Sequence, residues 1–263
     1  GTSGLIYGYV NDGFYTVDDF EYFDSASRTW HLKEGVVNSS ILSGDPRPGN
    51  AKFKKLTPVD PNSPNPYNLT DEDRTVIGKT TPKFSGGFGL NARYKGFDFS
   101  VFFNYMYGFD VFNANKVMMT TWADNKFNNF SMDISSSKRW RNFDDMGNEI
   151  RYNPEVLAEF NKNATMWNPT SIGKPISMSY AVEDGSFLRL NSASLGYTLP
   201  RDLTRKVGLN RVRFYVSGGN LFTITGYSGY DPEVNIATGL TPNIDYNRYP
   251  RSRTYTFGAQ LTF

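Results

Sequence analysis

The last eleven residues, Arg253 to Phe263, alternate without an exception. Tyr255, Phe257, Ala259, Leu261 and Phe263 fall on one side of an extended chain, and Thr254, Thr256, Gly258, Gln260 and Thr262 fall on the other. Successive side chains of a strand point to opposite faces, so this segment is a ribbon with one apolar and one polar side. A tilted strand needs about ten residues to cross the hydrocarbon layer of a membrane. A closing strand with an aromatic last residue therefore fits a transmembrane β-barrel.

Four more segments share the pattern. Over 84–94 the even positions are Phe84, Gly86, Phe88, Leu90, Ala92 and Tyr94, with Ser85, Gly87, Gly89, Asn91 and Arg93 between them. Lys95-Gly96 then reverses the chain, because Gly takes the positive φ that a two-residue hairpin demands. Over 97–107, Phe97, Phe99, Val101, Phe103, Tyr105 and Tyr107 share one face, and Asp98, Ser100, Asn104 and Met106 dominate the other. Over 187–199, Ala193, Leu195, Tyr197 and Leu199 oppose Ser192, Ser194, Gly196 and Thr198. Leu188 and Leu190 have the opposite phase, which predicts a bulge or a segment lying above the lipid. Over 211–222, Val212, Phe214 and Val216 alternate with Arg213, Tyr215 and Ser217, and Gly218-Gly219 weaken the strand's end.

Alternation also occurs in soluble sheets, so the position of the rings decides the fold class. Tyr94, Phe97, Tyr197 and Phe263 sit at one end of their strands, and Phe84, Tyr105, Tyr107 and Tyr255 at the other. Rings gathered at two levels are the girdles of a lipid-embedded wall. The expected fold is all-β, an antiparallel transmembrane barrel, with its lipid localisation that of an outer membrane.

Connection lengths agree with this. Strands 84–94, 97–107, 187–199, 211–222 and 253–263 leave a short turn at 95–96, a modest one at 200–210, and long loops at 108–186 and 223–252. Counting back from a periplasmic carboxyl terminus, both long loops fall outside and both turns fall inside, as bacterial barrels arrange them. Residues 1–83 are expected to be mainly an extracellular loop region, with short strands or hairpins around 5–15 and 29–37. Five strands leave two open edges, whereas single-chain barrels need at least about eight strands and lipid tolerates no unpaired edge. The chain is therefore expected to be the carboxyl-terminal piece of a longer polypeptide, or to close a barrel with another chain.

Composition excludes several function classes. No run of eighteen apolar residues is present, so no transmembrane helix is expected. There is no Cys and a single His, His31, so a thiolate metal site, a zinc centre or a hydrolytic triad would lack its parts. The net charge of +2 is scattered, which argues against nucleic acid as a partner. No enzymatic activity and no cofactor is expected. A mean hydropathy of −0.50 is compatible with a barrel, since only every second strand residue need be apolar.

With these features in place, the chain resembles the carboxyl-terminal part of the SusC/RagA-like TonB-dependent outer-membrane transporters of Bacteroidetes. The resemblance rests on YGYVNDGF (Tyr7 to Phe14), RPGNAKF (Arg47 to Phe53), DRTVIGKTTPKF (Asp73 to Phe84), YKGFDFS (Tyr94 to Ser100), DGSFLRLNSASLGYTLP (Asp184 to Pro200), SGGNLFTITGYSGYDPEV (Ser217 to Val234) and YPRSRTYTFGAQLTF (Tyr249 to Phe263). It implies a barrel of 22 strands, an amino-terminal plug, a SusD-like lipoprotein lid, and TonB as the source of work through the missing amino-terminal part. The chain departs from its relatives between Arg47 and Arg74, where many carry an Asp/Asn/Gly run with the look of a calcium loop. Here Pro58, Pro61, Pro64 and Pro66 interrupt it and separate Asp60 from Asp71, Glu72 and Asp73. A hard cation needs six or more convergent oxygens, so a solvated loop without metal is expected.

In such a barrel the polar face lines the pore: Asn91, Arg93, Asp98, Ser100, Asn104, Arg213, Tyr215, Ser217, Thr254, Thr256 and Gln260. Specificity belongs to the long loops. Loop 108–186 carries Trp122, Trp140, Trp167, Tyr152 and Tyr180 among many Asn residues, a set suited either to stacking on a sugar or peptide cargo or to packing the loop on itself. Pro154 to Asn161 reads as a short helix within it. The function expected is energised import of oligosaccharides or oligopeptides; a passive porin and a surface adhesin or translocator are the competing readings.

Overall fold

The computed structural model describes residues 4–121, 129–172, 176–234, 243–246 and 249–263. The first third is built from short pieces: β1 (Leu5–Gly8), β2 (Asn11–Phe14), β3 (Phe20–Asp24), β4 (Thr29–Leu32), α1 (Ser40–Ser43), β5 (Ala51–Phe53) and β6 (Thr75–Lys79). They pair two by two, β1 with β6, β2 with β5 and β3 with β4. Strands this short bury too little to stand alone, and they borrow support from distant chain. Tyr9 exchanges backbone hydrogen bonds with Ser177 and Ser179, both at 2.9 Å.

Five long antiparallel strands follow: β7 (Phe84–Tyr94), β8 (Phe97–Tyr107), β11 (Phe187–Thr198), β12 (Arg211–Thr225) and β14 (Thr254–Thr262). They stand in the order β14-β12-β11-β8-β7. Between β8 and β11 lie β9 (Asp110–Asn113), α2 (Ala114–Thr120), α3 (Pro154–Phe160) and β10 (Val182–Asp184), and between β12 and β14 lies β13 (Ile244–Asp245). A four-residue helix, α4 (Arg201–Thr204), sits in the connection from β11 to β12. In α3, Pro154 occupies the first turn and the Asn153 side chain accepts from the Val156 N–H, as expected for that segment.

The β7–β8 hairpin closes at Lys95 (φ 45°) and Gly96 (φ 88°), a pair of positive φ angles that matches the twist of the strands. Its ladder runs unbroken from Phe84↔Tyr107 to Tyr94↔Phe97. In β11 the register shifts between Leu190 and Ser192 against both neighbours. The phase change in the sequence thus corresponds to a bulge at Asn191. It keeps Leu188 and Leu190 on the face of Ala193, Leu195 and Tyr197. Opposite the bulge, Asn220 takes a left-handed conformation with φ 52°, and β12 continues beyond the expected end at 222 to pair Ile224 with Leu188 and Thr225 with Phe187.

One face of this sheet is apolar and open. Phe88, Leu90, Phe99, Leu195, Phe214, Val216, Phe257 and Leu261 are all exposed on it. Such a continuous patch on a folded chain marks a surface covered by lipid or by another molecule. Ladder rows show how the wall is inclined. Leu90 shares a row with Tyr255 through Val101, Ala193 and Gly218, and Tyr94 shares one with Ala259 through Phe97, Tyr197 and Phe214. The terminal rings of β7 and β14 are therefore staggered along the strands in one direction at both ends, the tilt that closing a barrel requires.

Beyond the ends of the long strands opposite the turns, the described parts of 1–83 and 108–186 pack together as one cap. One core joins Tyr9, Ala51, Phe53 and Leu69 to Phe112, Val117, Trp167, Ile172 and Met178. A second joins Tyr15, Phe20 and Trp30 to Trp140, Ile150 and Leu157. The chain boundary at 83/84 is thus not a packing boundary. Where cap and sheet meet, Phe109, Val111, Phe187, Tyr227 and Val234 form a third cluster.

Candidate functional site

The face opposite the apolar one gathers the residues read as pore-lining. Asn91 pairs with Ser100, Arg93 with Asp98, Asn104 with Gly87 and Arg189, Tyr215 with Gly196 and Gly258, and Arg213 with Gln260. Asp98 takes two bonds from Arg213, Nε to Oδ1 at 2.9 Å and Nη2 to Oδ2 at 2.5 Å. This planar fork is the stronger kind of ion pair. It spans β11 to reach from β8 to β12, and it lies flat because Gly196 beneath the guanidinium has no Cβ to obstruct it. Tyr215 covers Gly258 in the same way, with the Arg213 guanidinium 5.1 Å from its ring centre. Phe102 is an apolar ring on this polar face; it covers Gly87, where an added Cβ would meet the ring at 2.6 Å. Low relief along this half of the wall leaves room for whatever fills the pore.

The other half is crossed by chain. Segment 227–234 lies over the polar face as a strap, pinned by Arg189. This side chain is 0% exposed, and its Nη2 meets Asp231 Oδ1 at 2.5 Å while Nη1 lies 3.3 Å from Glu233 Oε2. Glu233 also accepts from Arg251 at 2.8 Å. The strap's other end is held by Asp245 of β13 and by Glu183 of the cap. Tyr227 Oη donates to Asp245 Oδ2 at 2.6 Å, and Ser228 donates through N–H and hydroxyl to Glu183 at 2.9 and 2.8 Å. Burial pushes the Tyr227 phenol well above its usual range, reinforced by Asp245, so it stays a donor. Burial alone would raise Glu183, but the bonds from Ser228 and the Lys116 ammonium 3.2 Å away outweigh it and hold the carboxyl below its usual range.

Arg189 is the residue that sequence reasoning missed. Its phase in the strand placed it off the pattern, and only the bulge returns it to the pore side. The DPEV run that supplies Asp231 and Glu233 was the available signal. Beside it, Asn104 Oδ1, Arg189 Nε and Nη1 and Glu233 Oε2 are buried without a hydrogen-bond partner.

Of the two uses open to the rings of loop 108–186, packing is the one seen for those that are described. Trp140 is buried with its ring against Phe14, edge to face at 5.7 Å, and over Gly49 of the RPG segment. Trp167 is buried too, its Nε1–H donating to Thr120 O at 3.1 Å and its ring meeting Tyr180 at 4.7 Å. Both serve the cap's interior, because a folded loop of this size needs its largest rings as core. Tyr180 carries the Lys116 ammonium 4.4 Å above its ring. Tyr152 is stacked on Phe23 at 5.7 Å and faced by Arg28 and Arg151. Trp122 lies outside the described residues.

The rings read as girdles occupy the apolar face. Tyr94, Phe97 and Tyr197 share one row at the turn end, with Phe97 and Tyr197 centred 4.5 Å apart. Phe84 pairs with Tyr107 at the other end, Tyr105 with Gly86, and Tyr255 with Gly218. Phe263 follows the end of β14, exposed.

In the proline-interrupted loop, expected to be solvated and without metal, Asp73 is turned inward. It accepts from Leu56 N–H at 2.8 Å, Thr57 N–H and hydroxyl at 2.7 Å, and Thr70 N–H at 2.8 Å. Lys55 Nζ stands 3.5 Å away and bonds Asn68 O at 3.0 Å. Burial would raise its pKa, but the bonds from Thr57, Thr70 and Leu56 outweigh it and hold the carboxyl far below the usual range. Among the described residues no three His, Asp or Glu side chains converge as a metal site would need.

No family model matches the chain. Among curated proteins it is 33% identical over 266 residues to TonB-dependent receptor P3 of Formosa agariphila, covering 99% of this chain and 22% of that protein. It is 28% identical over 275 residues to TonB-dependent receptor P39 of the same organism, covering 99% and 25%. It is also 28% identical over 163 residues to TonB-dependent receptor SusC of Bacteroides thetaiotaomicron, covering 57% and 15%. The chain thus spans a quarter or less of the length of these relatives. Among solved structures, the RagAB peptide transporter matches with a TM-score of 0.59 at 22% identity, and the open-open state of the RagAB peptide importer with 0.58 at 22%, each over 98% of this chain and 22% of the other. The five-stranded wall with its tilt, its apolar outer face and its capped polar side accords with that fold. The chain belongs to the SusC/RagA-like TonB-dependent receptors, and its long strands are a stretch of their barrel wall.

Proposed function

We propose that this chain forms the carboxyl-terminal portion of an outer-membrane importer that brings oligosaccharides or oligopeptides into the periplasm, driven by TonB and served by a SusD-like surface lipoprotein. The observation that carries the reading is the two-faced wall. An exposed apolar surface of strand length lies back to back with a polar surface that already holds a folded strap. A wall of this kind has no reacting groups to offer; its polar side supplies hydroxyls, amides and forked ion pairs past which a hydrated solute moves. The names of the relatives point the same way, towards TonB-dependent reception and, for RagAB, peptide import. In this reading loops 108–186 and 223–252 face outside, and cargo meets the cap and the strap before the pore.

Uptake by the intact receptor in cells tests the reading, using labelled oligosaccharide and peptide pools with and without the TonB system. Accumulation that needs TonB supports import. Entry that continues without it marks a passive pore, and no entry with strong cell-surface protein binding marks an adhesin.

A further inference from the structure

The turn end of the wall carries unbalanced charge. Thr198 N–H donates to Gly96 O at 2.8 Å and Asn210 N–H to Thr262 O at 2.8 Å, so the Lys95-Gly96 turn, the connection 199–210 and the end of β14 form one rim. On it Lys95, Arg201, Arg205 and Lys206 are exposed, and Asp202 is the one acid of the connection. Among the described residues none of these four cations has a carboxylate within ion-pair distance. Two apolar side chains project between them, Leu203 at 53% and Val207 at 70% exposure. The turn that presents them is anchored, since Thr204 is buried and its hydroxyl donates to Arg201 O at 3.2 Å. The ring row of Tyr94, Phe97 and Tyr197 borders this rim on the apolar face, with Lys95 Nζ 5.2 Å from the Tyr94 ring.

We propose that this rim docks on anionic phospholipid headgroups, with Leu203 and Val207 entering the acyl boundary and Lys95, Arg201, Arg205 and Lys206 at the level of the phosphates. The proposal rests on the wall being lipid-embedded and adds the headgroup class and the residues that select it. Exposed apolar residues flanked by cations and continuous with a lipid-facing surface are the pattern of interfacial anchoring. Long basic side chains reach the headgroups while their stems stay on apolar ground. An acidic polypeptide would use the charge but leave Leu203 and Val207 without a role. Arg93 and Arg211 point to the pore side, into a depression that Lys95 also borders.

The intact receptor is reconstituted in phosphatidylcholine alone and in phosphatidylcholine mixed with phosphatidylglycerol, and co-purifying lipid is measured by native mass spectrometry. Phosphatidylglycerol is expected to be enriched, and the variant Arg201→Gln/Arg205→Gln/Lys206→Gln to lose affinity by about fivefold per charge removed. Equal retention of both lipids overturns the proposal, as does enrichment that survives the triple variant. Enrichment lost in Arg93→Gln/Arg211→Gln instead places the site in the pore and also overturns it. Heat-modifiable migration of both proteins from phosphatidylcholine alone reports the wall separately; its absence in the parent protein overturns the lipid-embedded reading itself.

Discussion

Trp167, one of the rings considered for cargo contact, and Asp73, in the loop where no metal was expected, both hold positions that give them structural work. Asp73 closes 54–70 by accepting from three residues at once. Its pKa is lowered on folding, so its stabilising contribution is complete above the unfolded value of about 4 and is lost as pH falls below that towards the folded value. Asp73→Asn is expected to loosen this loop by about 1–3 kcal/mol, because donors that met a carboxylate lose an acceptor. Hydrogen-exchange protection over 54–70 at neutral pH checks this, and in the parent protein the protection relative to the intrinsic exchange rate should change little between pH 7 and pH 5. Trp167→Ala is expected to cost the cap about 3–5 kcal/mol by emptying its core, readable as a lowered thermal midpoint. Residue types in loop 108–186 were legible as aromatic and amide-rich, but the direction in which a ring points depends on chain distant in sequence. Trp140 lies inside because Gly49 and Phe14 come to meet it.

At the scale of elements, the long strands were readable to within a few residues, since a period of two sustained over nine or more residues has no other use. The β7 and β8 limits are those the alternation predicts, and β12 runs three residues further because β11 pairs with it beyond the bulge. The cap strands, most of three to five residues, were visible only as approximate regions; strands so short are selected by their partners more than by their own pattern. The path of the strap was hidden, because the DPEV run marks its two acids but nothing local says that 227–234 returns to β11. Arg189→Met should expose it, since removing one partner from a buried ion pair costs about 3–5 kcal/mol. Hydrogen exchange confined to 227–234 is the measurement. Arg251→Ala, at the exposed end of the same network, should cost no more than about 1 kcal/mol.

For the whole molecule, the two faces of the wall predict opposite tolerance to charge. Val101 sits mid-strand on the apolar face and Ser100 beside it on the polar face. Val101→Arg is expected to destabilise the inserted receptor by about 2–4 kcal/mol, and Ser100→Arg by much less, as measured by unfolding from lipid vesicles. Sequence alone located the wall and its two sides because lipid imposes that division on every strand. It could not foresee that 1–83 and 108–186 share cores, since such packing leaves no period to read.

One consequence follows from the strap being fastened at both ends. Arg189 belongs to the wall, and Glu183 and Asp245 belong to the region above it, so segment 227–234 behaves as a taut cord between a fixed post and a lintel. A solute or neighbouring domain that pushes it aside must break charged bonds at one end or drag the other along. Displacements on the polar side of the wall and displacements in the cap would then be felt by each other through eight residues.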